Sequence, residues 1–327
     1  MRALVTGVAG FAGRYLARHL LDEGDSVVGL VRKGRRFGHP DLSERVPLVE
    51  VDLLDLTETR EAVADIAPEA IYHLAAQASV AVSLSDPVGT FRNNVVSQAT
   101  LFEAILGSGL RPRVVVIGSN EEYGPVPEEL LPIKETTPLN PVSPYAVSKV
   151  SQDLMAAQYW VTRGLETIRL RPFTHTGPEH DDRFVTPSFA RQIAEIEQGL
   201  REPVVRVGFI DGVRDFSDVR DIVMGYRLAA LKGAPGEVYN LGNGRGTPVR
   251  ALLDGLLKQS GVSIDVQIDP ELIRPSEPTA QYADCSKFAQ LTGWAPRITL
   301  EQTLRDTLEY WRLRTSGAAA HPGGVAR

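Results

Sequence analysis

ALVTGVAGFAGRYLARHLLDEG occupies residues 3–24. ALVTG (3–7) is a short apolar run of the kind that forms a buried strand, and FAGRYLARHLLDEG (11–24) has helical period. Between them TGVAGFAG (6–13) spaces Gly7, Gly10 and Gly13 as G-x-x-G-x-x-G. Glycines there let the chain turn sharply and bring backbone N–H groups close to a pyrophosphate, and the helix N-terminus adds its positive end. The spacing differs from the commoner G-x-G-x-x-G, and glycine-rich turns join many strands to helices. The placement, directly after a first strand and opening a first helix, is what points to a dinucleotide site.

Working outward, strands are expected at 26–32, 46–55, 70–76, 113–119 and 166–172, with helices at 57–66, 88–109 and 143–164. Strands alternating with helices predict an α/β fold, a doubly wound parallel sheet of Rossmann type covered on both faces. After Pro172 the alternation weakens and loops rich in Gly, Pro and Asp separate helices expected near 186–199, 218–231, 247–259 and 300–314. That pattern predicts a smaller, mixed α/β substrate lobe. The expected division is a dinucleotide-binding domain over 1–171 with a returning segment 216–242, which holds the strand-like VYNLGNG (238–244). The lobe takes 172–215 and 243–314. TSGAAAHPGGVAR (315–327) is expected as a flexible tail.

The totals agree with a globular enzyme-sized protein. The chain has 327 residues, 43% apolar and 23% charged, enough to bury a large core and too apolar for disorder. A net charge of −6 argues against a nucleic-acid surface. The one cysteine, Cys285, excludes an internal disulfide and a cysteine-rich metal site, and no metal is expected. The N-terminal apolar run is too short for a signal peptide, and no run reaches the ~18 residues of a membrane span. A cytoplasmic protein is the expectation.

At the end of the second expected strand, LVRKGRR (30–36) crowds Arg32, Lys33, Arg35 and Arg36 where an NAD site places an acid for the ribose 2′-hydroxyl. Basic residues there suit a 2′-phosphate, so NADP(H) is favoured and NAD(H) remains possible. Asp52, after the third strand, is a candidate for the adenine amino group or for helix capping.

Two further stretches carry chemistry. YAVSK places Tyr145 and Lys149 four residues apart on one face of a helix, and GSNEEYG (118–124) ends a strand with Ser119. Ligands of a doubly wound sheet sit at the carboxyl ends of the strands, where Ser119 falls. Free tyrosine has a pKa near ~10, too high for acid–base work at neutral pH, and a nearby ammonium lowers it. The glycine loop, Ser119 and the Tyr145/Lys149 pair, in this order over nearly the whole chain, resemble the extended class of short-chain dehydrogenases/reductases. The resemblance implies that Tyr145 exchanges a proton with a carbonyl or hydroxyl oxygen, that Ser119 hydrogen-bonds the same oxygen, and that Lys149 also holds the nicotinamide ribose. It implies cofactor contacts from Gly7, Gly10, Phe11, Ala12, Gly13, Arg32, Asp52, Leu53, Leu74, Ala75, Ala76, Tyr145, Lys149 and Arg171. A scaffold built on a dead reductase fold usually lacks the Tyr or the Lys, and both are here.

RLRPFTHTGPEHDDRFVTPSFARQIAEIEQG (169–199), GFIDGVRDFSDVRDIVMGY (208–226) and LIRPSEP (272–278) are similar to signatures of GDP-sugar enzymes. With GSNEEYG, TPLNPVSPYAVSKV (137–150) and ARQIAEIE (190–197), they narrow the resemblance to the GDP-4-keto-6-deoxy-D-mannose reductases, which form GDP-D-rhamnose. The implied substrate is a GDP-linked 4-keto-6-deoxyhexose, touched by Asn120, Glu121, Thr174, Arg214, Arg274 and Glu277. The two arginines suit a diphosphate, and Glu277 suits ribose hydroxyls. The alternative is a GDP-mannose 4,6-dehydratase, which needs a further carboxylate. Glu121 supplies one, but the resembling reductases keep it too. A related epimerase is a third reading. The family usually has Asn where this chain has Thr174, which lacks an amide, and that departure bears on the sugar accepted. His175 is given no chemical role. Family members commonly form homodimers through two long helices, here 88–109 and 143–164.

Overall fold

The computed structural model describes residues 1–37, 40–273 and 279–319. Seven strands form one parallel sheet: β1 (Arg2–Thr6), β2 (Ser26–Val31), β3 (Leu48–Glu50), β4 (Ala70–His73), β5 (Arg113–Ile117), β6 (Thr167–Pro172) and β7 (Val238–Leu241). Their spatial order is β7-β6-β5-β4-β1-β2-β3. The order reverses between β1 and β4, so a crevice opens at their carboxyl ends, beside Gly7 and Leu74. The expected doubly wound sheet is the fold observed, and VYNL returns to its edge beside β6, pairing Val238 with Arg169.

Alternation along each strand sends side chains to two separate cores. Ala3 and Val5 join one cluster and Leu4 the other; Val115 and Ile117 oppose Val114 and Val116 in the same way. Each fully buried Val, Leu or Ile contributes about 1.5–3 kcal/mol. Helix α1 (Phe11–Asp22) covers the first face through Leu16, Ala17 and Leu20. The second face is covered by α2 (Leu56–Ile66), a long helix α3 and α4 (Pro144–Arg163). Helix α3 starts at Pro87–Phe91, passes through a π-helical stretch Arg92–Val96 and continues as Ser97–Gly107. Helix α4 begins where SPYAVSK predicts. Ser143 accepts the Ala146 N–H at 3.1 Å, Pro144 takes the first turn, and Gly164 ends the helix in the left-handed region at φ 64°.

The lobe packs α5 (Val185–Glu197), α7 (Val249–Leu257) and α8 (Leu300–Ala319) around Phe189, Ile193, Leu252, Leu256, Leu304 and Leu308. Between α5 and α7 in sequence, α6 (Val219–Lys232) leaves the lobe and lies beside α1 on the sheet through Ile222, Val223 and Tyr226. Helix α8 corrects one expectation: it runs to Ala319 and takes in the first five residues of the expected tail, 315–319. Thr315 is buried, donates to the Trp311 carbonyl at 2.9 Å and accepts from the Gln198 amide at 2.9 Å, which anchors the last turns.

Candidate functional site at the strand ends

The glycine loop leaves β1 with Gly7 at φ 69°, and Gly10 N–H closes the turn on the Gly7 carbonyl at 2.9 Å. Space explains the glycines. A Cβ on Gly7 would lie 2.8 Å from Ala75 N, and one on Gly13 only 2.4 Å from the Gly7 carbonyl oxygen. Gly10 caps α1 with no side-chain bond, and its first turn holds no acidic residue. The N-terminal amides are thus left without a side-chain acceptor at the positive end of the helix. That cradle fits a pyrophosphate. The Thr6 hydroxyl accepts the Ala75 N–H at 3.1 Å and bonds His73 Nδ1 at 2.9 Å, which ties the ends of β1 and β4 together. Leu74, Ala75 and Ala76 lie half-buried just beyond β4; Phe11 and Ala12 open α1, and Leu53 follows β3.

At the far end of the crevice the basic run LVRKGRR meets carboxylates from other elements. Glu58 of α2 pairs with Lys33 at 2.8 Å, and Glu50 of β3 pairs with Arg36. Strand pairing, not sequence proximity, delivers those carboxylates. Arg32 and Arg35 are exposed, and among the described residues neither guanidinium meets a carboxylate. The Asp52 carboxylate accepts the Leu54 N–H at 3.0 Å and so shapes its own turn.

Ser119, Tyr145 and Lys149 converge beyond β5. Ser119 caps a short 3-10 segment, Asn120–Tyr123, and lies close enough to act on the Tyr145 phenol. Burial pushes Tyr145 well above the usual tyrosine range; Ser119 opposes this, and the charges of Glu121 and Glu122 add to it. Lys149 is 4% exposed and donates to the Ile117 carbonyl at 2.8 Å. Burial lowers it to about 8, with Glu122 opposing. Here the outcome differs from the expectation. Desolvation governs the phenol, and the Lys149 Nζ donates to a backbone carbonyl instead of to the phenol oxygen. Glu121 is half-buried and close enough for its charge to act on Tyr145.

Arg171 also departs from its expected role as a cofactor contact. Its guanidinium, 4% exposed, is bound by Glu122 at 2.9 Å, Asp153 at 2.8 Å and the Tyr123 hydroxyl at 3.0 Å, with the Tyr123 ring against it. Its guanidinium is engaged within this buried cluster and holds the Ser119 loop through Glu122. Asn120 donates to Gln281 at 2.8 Å, and Gln281 to the Gly124 carbonyl at 2.7 Å, so Asn120 is held against the lobe. Thr174 is half-buried at the lobe boundary, where its carbonyl accepts the Ser217 N–H at 2.9 Å. Arg214 curls back to the Val213 carbonyl at 3.0 Å. Arg274 and Glu277 lie outside the described residues.

Three buried residues went unread in the sequence. Asn94, in the π-helical stretch, accepts the Gln77 N–H at 2.7 Å and donates to the Gln77 carbonyl at 3.1 Å and to Ser148 of α4 at 2.9 Å. Asp215 accepts the amides of Asn243, Gly244 and Ala283 at 2.6–3.1 Å, and burial raises it to about 6. It pins the lobe to the end of β7. Glu122 is the third. Asn94 and Asp215 serve the backbone across large sequence separations, which no local pattern announces.

A doubly wound sheet with a glycine cradle after β1 and this Ser–Tyr–Lys group after β5 is an extended short-chain dehydrogenase/reductase. The chain belongs to the GDP-mannose 4,6-dehydratase family, whose model matches residues 4–307. It is 33% identical to the GDP-6-deoxy-D-mannose reductase of Pseudomonas aeruginosa over 96% of this chain and 98% of that one. It is 30% identical to the GDP-mannose 4,6-dehydratase of Yersinia enterocolitica, over 92% and 91%. Among solved structures, that of RMD from Pseudomonas aeruginosa complexed with NADPH superposes with a TM-score of 0.82 at 32% identity, covering 96% of this chain and 100% of that one.

Proposed function

We propose that the protein reduces the C4 keto group of a GDP-linked 4-keto-6-deoxyhexose with NADPH, giving a GDP-6-deoxyhexose of the GDP-D-rhamnose type. The observation that carries this reading is the Ser119–Tyr145–Lys149 group assembled at the carboxyl end of β5 beside the cradle of Gly7, Gly10 and Gly13. A bound NADPH supplies the hydride that reaches C4. Tyr145 supplies the proton to the carbonyl oxygen, so the C=O π bond becomes a C–H and an O–H bond. Burial suits this direction, because it keeps Tyr145 a neutral phenol, the form that donates. Ser119 orients the same oxygen. As the phenolate forms, the Lys149 ammonium in the same buried pocket offsets its charge. That ammonium is present below about pH 8 and is lost as pH rises through this value.

Arg32, exposed and unpaired with carboxylates among the described residues, would meet a 2′-phosphate, which favours NADP(H) over NAD(H). Arg214 and Asn120 would face the substrate at the lobe boundary, with Thr174 beside them. A 4,6-dehydratase is the second reading, favoured by Glu121, a carboxylate within electrostatic reach of Tyr145. Turnover of the keto sugar with reduced cofactor is the test, set out at the end of the Discussion.

The reading includes a homodimer. Val147, Leu154 and Val161 recur every seven residues on α4 and stand 38%, 54% and 79% exposed, and Val88 and Val96 on α3 are exposed as well. An apolar stripe of this kind on two neighbouring helices suits a second copy of the same stripe. Light scattering is expected to give a mass of two chains, reduced to one by Leu154→Glu with Val161→Glu. A monomeric unmodified protein contradicts it. We also place the protein in the cytoplasm, where a free thiol such as Cys285 persists and NADPH is maintained; recovery in a secreted or membrane fraction would count against this.

A further inference from the structure

Glu122 carries a carboxylate with no exposed surface, one residue after the Glu121 that the dehydratase reading singles out. Its Oε1 accepts the Ser119 N–H at 2.8 Å, and its Oε2 faces Arg171 Nε at 2.9 Å. One oxygen accepts a hydrogen bond and the other lies in ion-pair contact with a guanidinium without a directed N–H···O bond, a setting that suits an ionised carboxylate. Arg171 in turn meets Asp153 at 2.8 Å, and Arg169 meets the same Asp153 oxygen at 2.8 Å. Asp153 lies on α4 one turn beyond Lys149 and two beyond Tyr145. A continuous run of hydrogen bonds and ion pairs therefore links the Ser119 loop, strand β6 and the helix of the Tyr145/Lys149 pair. The fit is close: a Cβ on Gly118 would come within 2.3 Å of Glu122 Oε1, so only glycine leaves room.

The charges surrounding this carboxylate come from every packed element. Lys149, Asp153 and Tyr145 approach from α4, and Arg171 from β6, where it lies over the ring of Tyr123. Burial raises Glu122 from the usual carboxylate range and Asp153 adds to this, while Arg171, the Ser119 N–H and Lys149 oppose it. Seen from Lys149, Glu122 is the carboxylate whose charge acts on the ammonium, and His73 of β4, the other titratable neighbour, is held neutral by burial.

We propose that Glu122 is a positioning residue of this site: it fixes the backbone of Ser119 and supplies the buried negative charge that keeps Lys149 an ammonium. The inference rests on the reading of Ser119, Tyr145 and Lys149 as the reacting group. Its direction follows from charge. Without the anion the ammonium loses its stabilising partner, and Lys149 gives up its proton at lower pH.

The test is a 13C NMR titration of Lys149 in the full protein labelled at lysine Cε, with Lys149→Arg identifying the resonance. Glu122→Gln keeps the shape and the acceptor for Ser119 N–H but removes the charge. It is expected to move the Lys149 midpoint to lower pH by about one unit and to move the alkaline limb of the activity profile with it. Asp153→Asn, equally buried but not acting on Lys149, is expected to leave the midpoint in place. Glu122→Asp retains the charge one methylene short and is expected to lower kcat with the midpoint unmoved; it carries the test if Glu122→Gln does not fold. An unchanged midpoint in Glu122→Gln, an equal movement in Asp153→Asn, or a downward movement in Glu122→Asp overturns the proposal. If Lys149 responds as expected and the protein turns over no GDP-linked keto sugar, the functional reading fails and the role of Glu122 toward Lys149 stands.

Discussion

Tyr145→Phe is expected to lower kcat for the reduction by about 10²–10⁴-fold, the usual contribution of a positioned general acid, which corresponds to about 3–5 kcal/mol of transition-state stabilisation. The substitution removes one oxygen from a side chain that is 8% exposed and packed at the start of α4. The ring, the helix and its Ser143 cap remain, so the fold is expected to hold. NADPH affinity, followed by the change in its fluorescence on binding, is expected to stay within a factor of a few, because the cradle at Gly7–Gly13 is untouched. Steady-state kinetics and the binding titration together separate lost chemistry from lost binding. Turnover that survives Tyr145→Phe would place the proton donor elsewhere, with Glu121 the first candidate.

Gly13→Ala is the second large effect. The new methyl group would stand 2.4 Å from the Gly7 carbonyl, 2.8 Å from Val8 Cα and 2.9 Å from the Val8 carbonyl, all backbone atoms of the loop itself. No side chain can rotate away to relieve the clash. The loop must move, and overpacking of this kind costs about 1–3 kcal/mol. Shifting the same amides weakens the dinucleotide by about tenfold to a hundredfold if that energy falls on the binding geometry. Thermal melting with and without NADPH reads both terms. A variant that melts normally and binds NADPH normally would mean that the cradle is not the pyrophosphate site.

Much of this architecture was legible because local rules and tertiary structure agree. The strand–glycine–helix opening, the alternation up to Pro172 and the Ser143–Pro144 start of α4 each have a local physical cause. The failures share a different origin. Glu50 and Glu58 reach the basic loop only because β3 pairs with β2 and α2 follows it. Arg171 looked available in the sequence because nothing local announces Glu122 and Asp153, which lie 49 and 18 residues before it in the chain. The π-helical stretch in α3 is invisible to a 3.6-residue period, and Asn94 uses it to reach Gln77 and Ser148. The Tyr145/Lys149 spacing was read correctly, but its electrostatics depend on burial and on the Ile117 carbonyl, which spacing does not reveal.

The central claim is tested most directly by giving the purified protein GDP-4-keto-6-deoxy-D-mannose with NADPH or with NADH, and in a parallel sample GDP-mannose with NADP. The account predicts consumption of NADPH, faster than that of NADH, with one GDP-6-deoxyhexose formed per NADPH oxidised, and no conversion of GDP-mannose. A 4-keto-6-deoxy product from GDP-mannose, with no net change in cofactor and no reduction in the first sample, would contradict it and assign Glu121 to the chemistry of a dehydratase.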